Sequence, residues 1–234
     1  MTAAFDLPRR LVAEALGTAL LVAAVVGSGI MAERLTADVG LALLANTLAT
    51  GAMLVVLVTV LAPVSGAHLN PAVTLVVAVR GELPRRDAGL YVLAQLAGAV
   101  AGTAVAHLMF DRALAELSGK VRWGAAQWFS EGVATFGLVL VILAGVRFDR
   151  RAVPWLVGLY ITSAYWFTAS TSFANPAVAV ARSLTNSFSG IRPADLPGFV
   201  AAQLAGALIA AALAGWLLRE PASHPIARKA EARP

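Results

Sequence analysis

The chain has no cysteine. That excludes disulfide bridges, thiolate metal sites and cysteine nucleophiles, and it leaves the redox compartment open. Charge is scarce as well. Asp, Glu, Lys and Arg make up 13% of the 234 residues, against roughly 25% in an average soluble domain. The three histidines, His68, His107 and His224, are far apart, so no zinc-ligand spacing exists. No phosphate loop and no Ser/His/Asp arrangement occurs. The chain is therefore read as no enzyme, with no cofactor and no metal. The net charge of +5 is not read as nucleic-acid binding, because its distribution matters more than its sum.

What is present is apolar surface. Hydrophobic residues are 59% of the chain, and the mean hydropathy is +0.77. A membrane-spanning helix needs about 20 apolar residues. Six stretches meet or nearly meet that length: about 10–32, 39–61, 88–110, 125–146, 153–170 and 197–218. They predict an all-α membrane protein in a lipid bilayer, with little room for a soluble domain. The first stretch is long and lacks a clear small-residue cleavage site, so it is read as a helix and not as a signal peptide. With the N-terminus placed in the cytoplasm, twelve of the 18 Lys and Arg residues fall on inner segments and six on outer ones. That asymmetry predicts two cytoplasmic termini, and the expected location is the inner membrane. The polar tail at 219–234 is expected to be disordered, and 111–123 reads as a charged outer connection without a motif.

The spans form two copies of one unit. Glu14-Ala15-Leu16-Gly17-Thr18 is similar to Glu131-Gly132-Val133-Ala134-Thr135. The triplet Asn70-Pro71-Ala72 returns as Asn175-Pro176-Ala177, and Ala94-Gln95-Leu96-Ala97-Gly98-Ala99 returns as 202–207. Three matches in one order indicate duplication, with repeat 1 at about 9–110 and repeat 2 at about 125–218 of a single domain. Each copy holds three spans, and an odd number turns the second copy upside down.

The apolar segments 73–79 and 178–184 after the triplets are too short to cross. They predict half-helices entering from opposite faces, where broken backbone is tolerated only against protein or a watery cavity. The triplets suit helix starts. Asn caps an unpaired N–H through its side-chain oxygen, and Pro fits the first helical position. The Asn amide is then free to point its NH2 donors at a path between the halves. Two helix N-termini meeting there carry roughly half a positive charge each. Such a site donates to a passing oxygen and repels cations. Pro71 and Pro176 as plain kinks in long helices would not explain two matched triplets.

The stretch Ser65-Gly66-Ala67-His68-Leu69-Asn70-Pro71-Ala72-Val73-Thr74 resembles the first signature of the aquaporin and aquaglyceroporin, or major intrinsic protein, family. The likeness covers about 9–218. It implies six tilted spans, two re-entrant half-helices, a homotetramer with one pore per subunit, and passive conduction. It places Asn70, Asn175, Ala72 and Ala177 at the pore centre and His68 in the cytoplasmic half. Glu14 and Glu131 match the glutamates that brace the half-helix loops. A proton-coupled role for them is the sharper alternative. Gly17, Gly98, Gly102, Gly137 and Gly206 are expected where helices approach closely.

One departure matters most. The family's outer filter usually has an arginine directly after the second triplet, and here that residue is Val178. The other filter positions fall on Thr50, on Ser172 and nominally on Ser163. A two-residue gap would put Tyr165 in place of Ser163. With Ser163 the filter is small, polar and uncharged, and therefore wide. It is expected to pass water and larger neutral solutes: glycerol, urea and metalloid hydroxides such as arsenous acid. The second-triplet stretch resembles bacterial metalloid-associated members. A filter narrowed by Tyr165 would instead make a water-selective channel. Arg182, one turn beyond Val178, either lines the outer vestibule or pairs away from the path. Of Tyr160, Tyr165, Trp166 and Phe167, some line the pore or all pack toward neighbours and lipid.

Overall fold

Most helix starts in this chain are set by Asp and Asn side chains or by proline. Asp6 accepts from the Arg9 N–H ahead of α1, Leu7–Leu35, and Asp38 accepts from the Leu41 N–H ahead of α2, Val39–Ser65. The computed structural model describes residues 5–219. It continues with α3 (Pro71–Val79), α4 (Arg85–Met109), α5 (Ala125–Phe148), α6 (Val153–Phe167), α7 (Pro176–Arg182) and α8 (Leu196–Leu217), with a 3-10 turn at Pro193–Asp195. The tail expected to be disordered lies, from residue 220 on, outside the described residues.

α1, α2, α4, α5 and α8 are long and apolar enough to cross a membrane. α6 has 15 residues, about 22 Å of helix, and ends earlier than the expected 153–170. Its C-terminal N–H at Thr168 bonds the Ala164 carbonyl, and the backbone then turns back as the second loop. The two half-helices begin at the prolines themselves. α7 stops at Arg182, two residues short of the expected 184.

The faces of these helices invert the pattern of a soluble protein. Leu93, Leu108, Phe129 and Ile209 point outward, while Glu14, Gln95, Glu131 and Gln203 are fully buried. A helix apolar all round suits lipid, and its polar residues are safe only inside. The polar interior also needs helices to come very close. α1 packs along α4, and α5 along α8, as the equivalent pairs of an inverted repeat. A side chain on Gly98 would overlap the Ala15 carbonyl oxygen of α1. One on Gly206 would overlap the Gly132 carbonyl oxygen of α5. Gly102 meets Ala19 in the same way. Gly17 and Gly137 face side chains instead, those of Leu69 and Tyr160.

Gly98→Val and Gly206→Val should therefore lower the thermal midpoint of the detergent-solubilised protein, at a cost of about 1–3 kcal/mol each. Leu93→Ala on the outer face should leave it unchanged. A melting curve for Gly98→Val that overlays the wild type would contradict the close crossing.

Candidate functional site

Two loops, 65–70 and 170–175, lead into the half-helices and leave regular structure through the left-handed region. Ala67, Leu69, Ser172 and Ala174 have φ of 47–49°, and Thr171 has 61°. Each such non-glycine residue costs on the order of 1–3 kcal/mol. A buried carboxylate holds each loop. Glu14 Oε1 accepts from the Ser65 hydroxyl (2.6 Å) and the His68 N–H (3.0 Å). Its Oε2 accepts from the Leu69 N–H (2.7 Å) and the Gln95 amide (2.8 Å). Glu131 accepts from the Phe173 and Ala174 N–H groups, both at 2.9 Å, and from the Gln203 amide at 2.5 Å. The matched Glu and Gln motifs of the sequence thus meet in space, twice. Neither carboxylate lines the cavity described below.

The asparagines lock the loops together. Asn70 Oδ1 accepts from the Ala72 N–H, and Asn175 Oδ1 from the Ala177 and Val178 N–H groups. Asn70 Nδ2 donates to the Ala174 carbonyl at 2.7 Å, and Asn175 Nδ2 to the Leu69 carbonyl at 2.8 Å. One amide hydrogen of each is spent on the opposite loop, so each keeps one for the path, where the sequence reading left both free. Ala72 and Ala177 supply capped N–H groups and pack into the core. They do not line the path.

A cavity of about 1060 Å³ runs along these loops. At one end it reaches Arg10, Arg150 and Arg151. It passes His68, Asn70 and Asn175 and reaches Thr50, Tyr165, Ser172, Val178 and Arg182. Leu54, Val58, Ile142 and Ile161 form an apolar wall opposite the polar loops. His68 Nδ1 lies 3.1 Å from the Thr74 hydroxyl. That hydroxyl accepts from Gln95, so its own proton is available to Nδ1.

The assignment of Ser163 is corrected. Ser163 is exposed on the outer side of α6, whereas Tyr165 is buried and lines the cavity. Two residues turn a helix by about 200°, so only one of the pair can face inward. The Tyr165 hydroxyl donates to Thr50 Oγ1 at 3.2 Å, bridging α6 to α2. The layer therefore contains a phenol and is not uniformly small. Trp166 and Phe167 are exposed, and Tyr160 donates to the Ala134 carbonyl between helices.

Arg182 is buried and belongs to the cavity wall. Side chains on a helix lean toward its N-terminus, so an arginine one turn further on reaches back toward the Val178 layer. Its guanidinium carbon lies 3.3 Å from the centre of the Phe173 ring. Nε donates to the Ser189 carbonyl. Nη1 and the neighbouring Ser172 Oγ are buried without a protein partner among the described residues.

The sequence reading missed Arg122. It sits in the connection read as lacking a motif, with its guanidinium 5.0 Å from the same Phe173 ring. It donates to the Gly190 and Ser170 carbonyls, and its N–H to Asp195. No spacing marked it, because its partners come from segments 48–73 residues away. Burial lowers the Arg122 guanidinium to about 10, so it stays cationic at neutral pH. Burial, with Arg122 and Arg182 nearby, pushes the Lys120 ammonium down to about 8.

The sequence profile described as Major intrinsic protein matches residues 1–168. Aquaglyceroporin AqpS of Rhizobium meliloti (strain 1021) is 72% identical over 225 residues, 96% of each chain. Nodulin-26 of Glycine max is 34% identical over 160 residues, 66% of this chain and 57% of that one. The X-ray structure of the aquaglyceroporin from Plasmodium falciparum superposes with a TM-score of 0.67 at 22% identity, covering 91% of this chain and 97% of that one. At that identity the superposition speaks for the fold.

Glu131→Ala would strip the acceptor from two loop N–H groups and one amide. It should destabilise the protein by about 3 kcal/mol or more, read as a lowered thermal midpoint. Gln203→Leu, which frees one donor partner only, should cost less. Equal melting of Glu131→Ala and wild type would remove the bracing role.

Proposed function

The chain belongs to the major intrinsic protein family, and we propose that it is a passive channel for water and small uncharged solutes, among them glycerol, urea and arsenous acid. The observation that carries this reading is Val178 in the cavity wall that Thr50 and Ser172 also line, at the position where the resemblance places an arginine. It is supported by an aquaglyceroporin relative that matches nearly end to end. In this reading a solute oxygen accepts from the free amide hydrogens of Asn70 and Asn175 while its carbon or metalloid side slides along the apolar wall. Ser172 Oγ and Arg182 Nη1 offer further hydrogen bonds at the outer layer. Cations are refused by the half-helix N-termini and by Arg182. A fixed charge about 4 Å from an ion is worth roughly 4 kcal/mol at an effective dielectric of 20. We place the channel in the inner membrane as a homotetramer, with both termini cytoplasmic.

One observation favours a second reading. The Tyr165 phenol stands in the wall, and a layer narrowed by it would make the channel water-selective. Stopped-flow light scattering on proteoliposomes separates the two. Wild type should pass glycerol and arsenous acid, and Val178→Arg should slow them at least about tenfold, or ~1.4 kcal/mol, with a smaller effect on water. Wild type that passes water alone would establish the second reading, and Tyr165→Ala should then admit glycerol.

Arg182 has its own test. Arg182→Met should raise proton and sodium leak in the same vesicles by about tenfold or more, with neutral solutes still passing. A leak equal to wild type would remove Arg182 from the barrier.

A further inference from the structure

The segment that leads away from α7 is pinned from two sides. On one side, Arg112, Lys120 and Arg122 of the connection between the repeats donate to the carbonyls of Asn186, Phe188 and Gly190, at 3.0, 2.7 and 2.9 Å. On the other, the fully buried Ser189 donates its hydroxyl to the Val25 carbonyl of α1 at 2.9 Å. Gly29 makes the room for it, since a side chain there would overlap the Ser189 hydroxyl. The Val25 carbonyl also accepts from Asn46 Nδ2 of α2 at 2.8 Å, so the anchor point is itself tied to a second span.

The carbonyl of the same Ser189 accepts from Arg182 Nε. Ser189 thus holds α1 with its side chain and the arginine with its backbone. A long side chain such as arginine has many rotamers and keeps one position only where fixed contacts hold it. Here the Phe173 ring supports the guanidinium on one face, 3.3 Å from the ring centre, and the Nε bond stops it turning about that contact. Nη1 is then left buried, without a protein partner among the described residues, on a side chain that lines the cavity. Val25, whose carbonyl anchors Ser189, lines the same cavity. The three cations on the other side already hold the loop. What the Ser189 hydroxyl adds is the position of its own carbonyl, and with it the position of Nε.

We propose that Ser189 is a positioning residue for ion exclusion: its bond to α1 keeps Arg182 in the cavity wall, where the guanidinium repels cations. This rests on the reading of Arg182 as part of the cation barrier and deepens it. Ser189 touches no solute in this role and acts only through Arg182. Without the hydroxyl bond the loop carbonyl shifts, Nε loses its acceptor, and the guanidinium is free to swing about the Phe173 ring.

The test is a double-mutant cycle on the full chain in proteoliposomes, reading proton and sodium leak, with water permeability as the folding check. Ser189→Ala should raise the leak at least about threefold, and less than Arg182→Met does. Arg182→Met/Ser189→Ala should leak no more than Arg182→Met alone, because the serine has nothing left to position. If Ser189→Ala does not conduct water, Gly29→Ala, which pushes the same hydroxyl aside, takes its place in the cycle. A leak equal to wild type in Ser189→Ala, while Arg182→Met leaks, overturns the proposal and leaves the arginine barrier standing. Leaks that multiply in the double variant also overturn it, since the serine would then act by another route. If Arg182→Met itself leaks no more than wild type, the barrier reading fails and the proposal falls with it.

Discussion

Each half of the channel hangs on a carboxylate that accepts hydrogen bonds from a strained loop. Glu14 reaches the His68 and Leu69 N–H groups, and Glu131 those of Phe173 and Ala174. Without these acceptors the loops would hold buried, unpaired N–H groups, each costing about 1–3 kcal/mol. The left-handed residues would then have nothing to hold them. With the acceptors in place, the backbone turns sharply enough to start a helix in the middle of the molecule. The glutamines Gln95 and Gln203 fix the carboxylates from the neighbouring span. The close crossings at Gly98 and Gly206 sit three residues further on those same helices, so the tight packing and the brace are one construction.

From this construction the chemistry of the path follows. The half-helices meet through reciprocal bonds from Asn70 and Asn175 to the opposite loop's carbonyl oxygens. Those bonds orient the amides and use one of the two hydrogens on each. Rigid donors facing an aliphatic wall suit a solute that is polar on one side. The outer layer is less simple. Val178 stands where the family resemblance places an arginine, and Arg182, one turn beyond it, puts a guanidinium in the same cavity wall, stacked on Phe173.

The order of the six spans, the two half-helices and their capping asparagines could be read directly, because each rests on local periodicity or on residues adjacent in sequence. The paired Glu, Asn-Pro-Ala and Ala-Gln-Leu-Ala-Gly-Ala motifs also revealed the duplication, since both copies kept the residues that bond one another. Which residue of α6 faces the cavity was not legible in the same way. Ser163 and Tyr165 are two residues apart, and only the rotation of α6 against α2 decides which faces inward. Arg122 was invisible because it belongs to no motif.

What the sequence by itself determined is the class of object: a membrane-embedded inverted repeat with two helix starts at its centre. Composition forces the spans into lipid, and the asparagine and proline chemistry forces the starts. Tertiary structure alone decided which side chains meet at the layer around Val178. That layer draws on α2, α6, the second loop and α7, and its lining depends on helix rotation and side-chain reach. Those quantities arise from packing over more than 100 residues of separation, as in the Tyr165–Thr50 bond, and no local pattern encodes them.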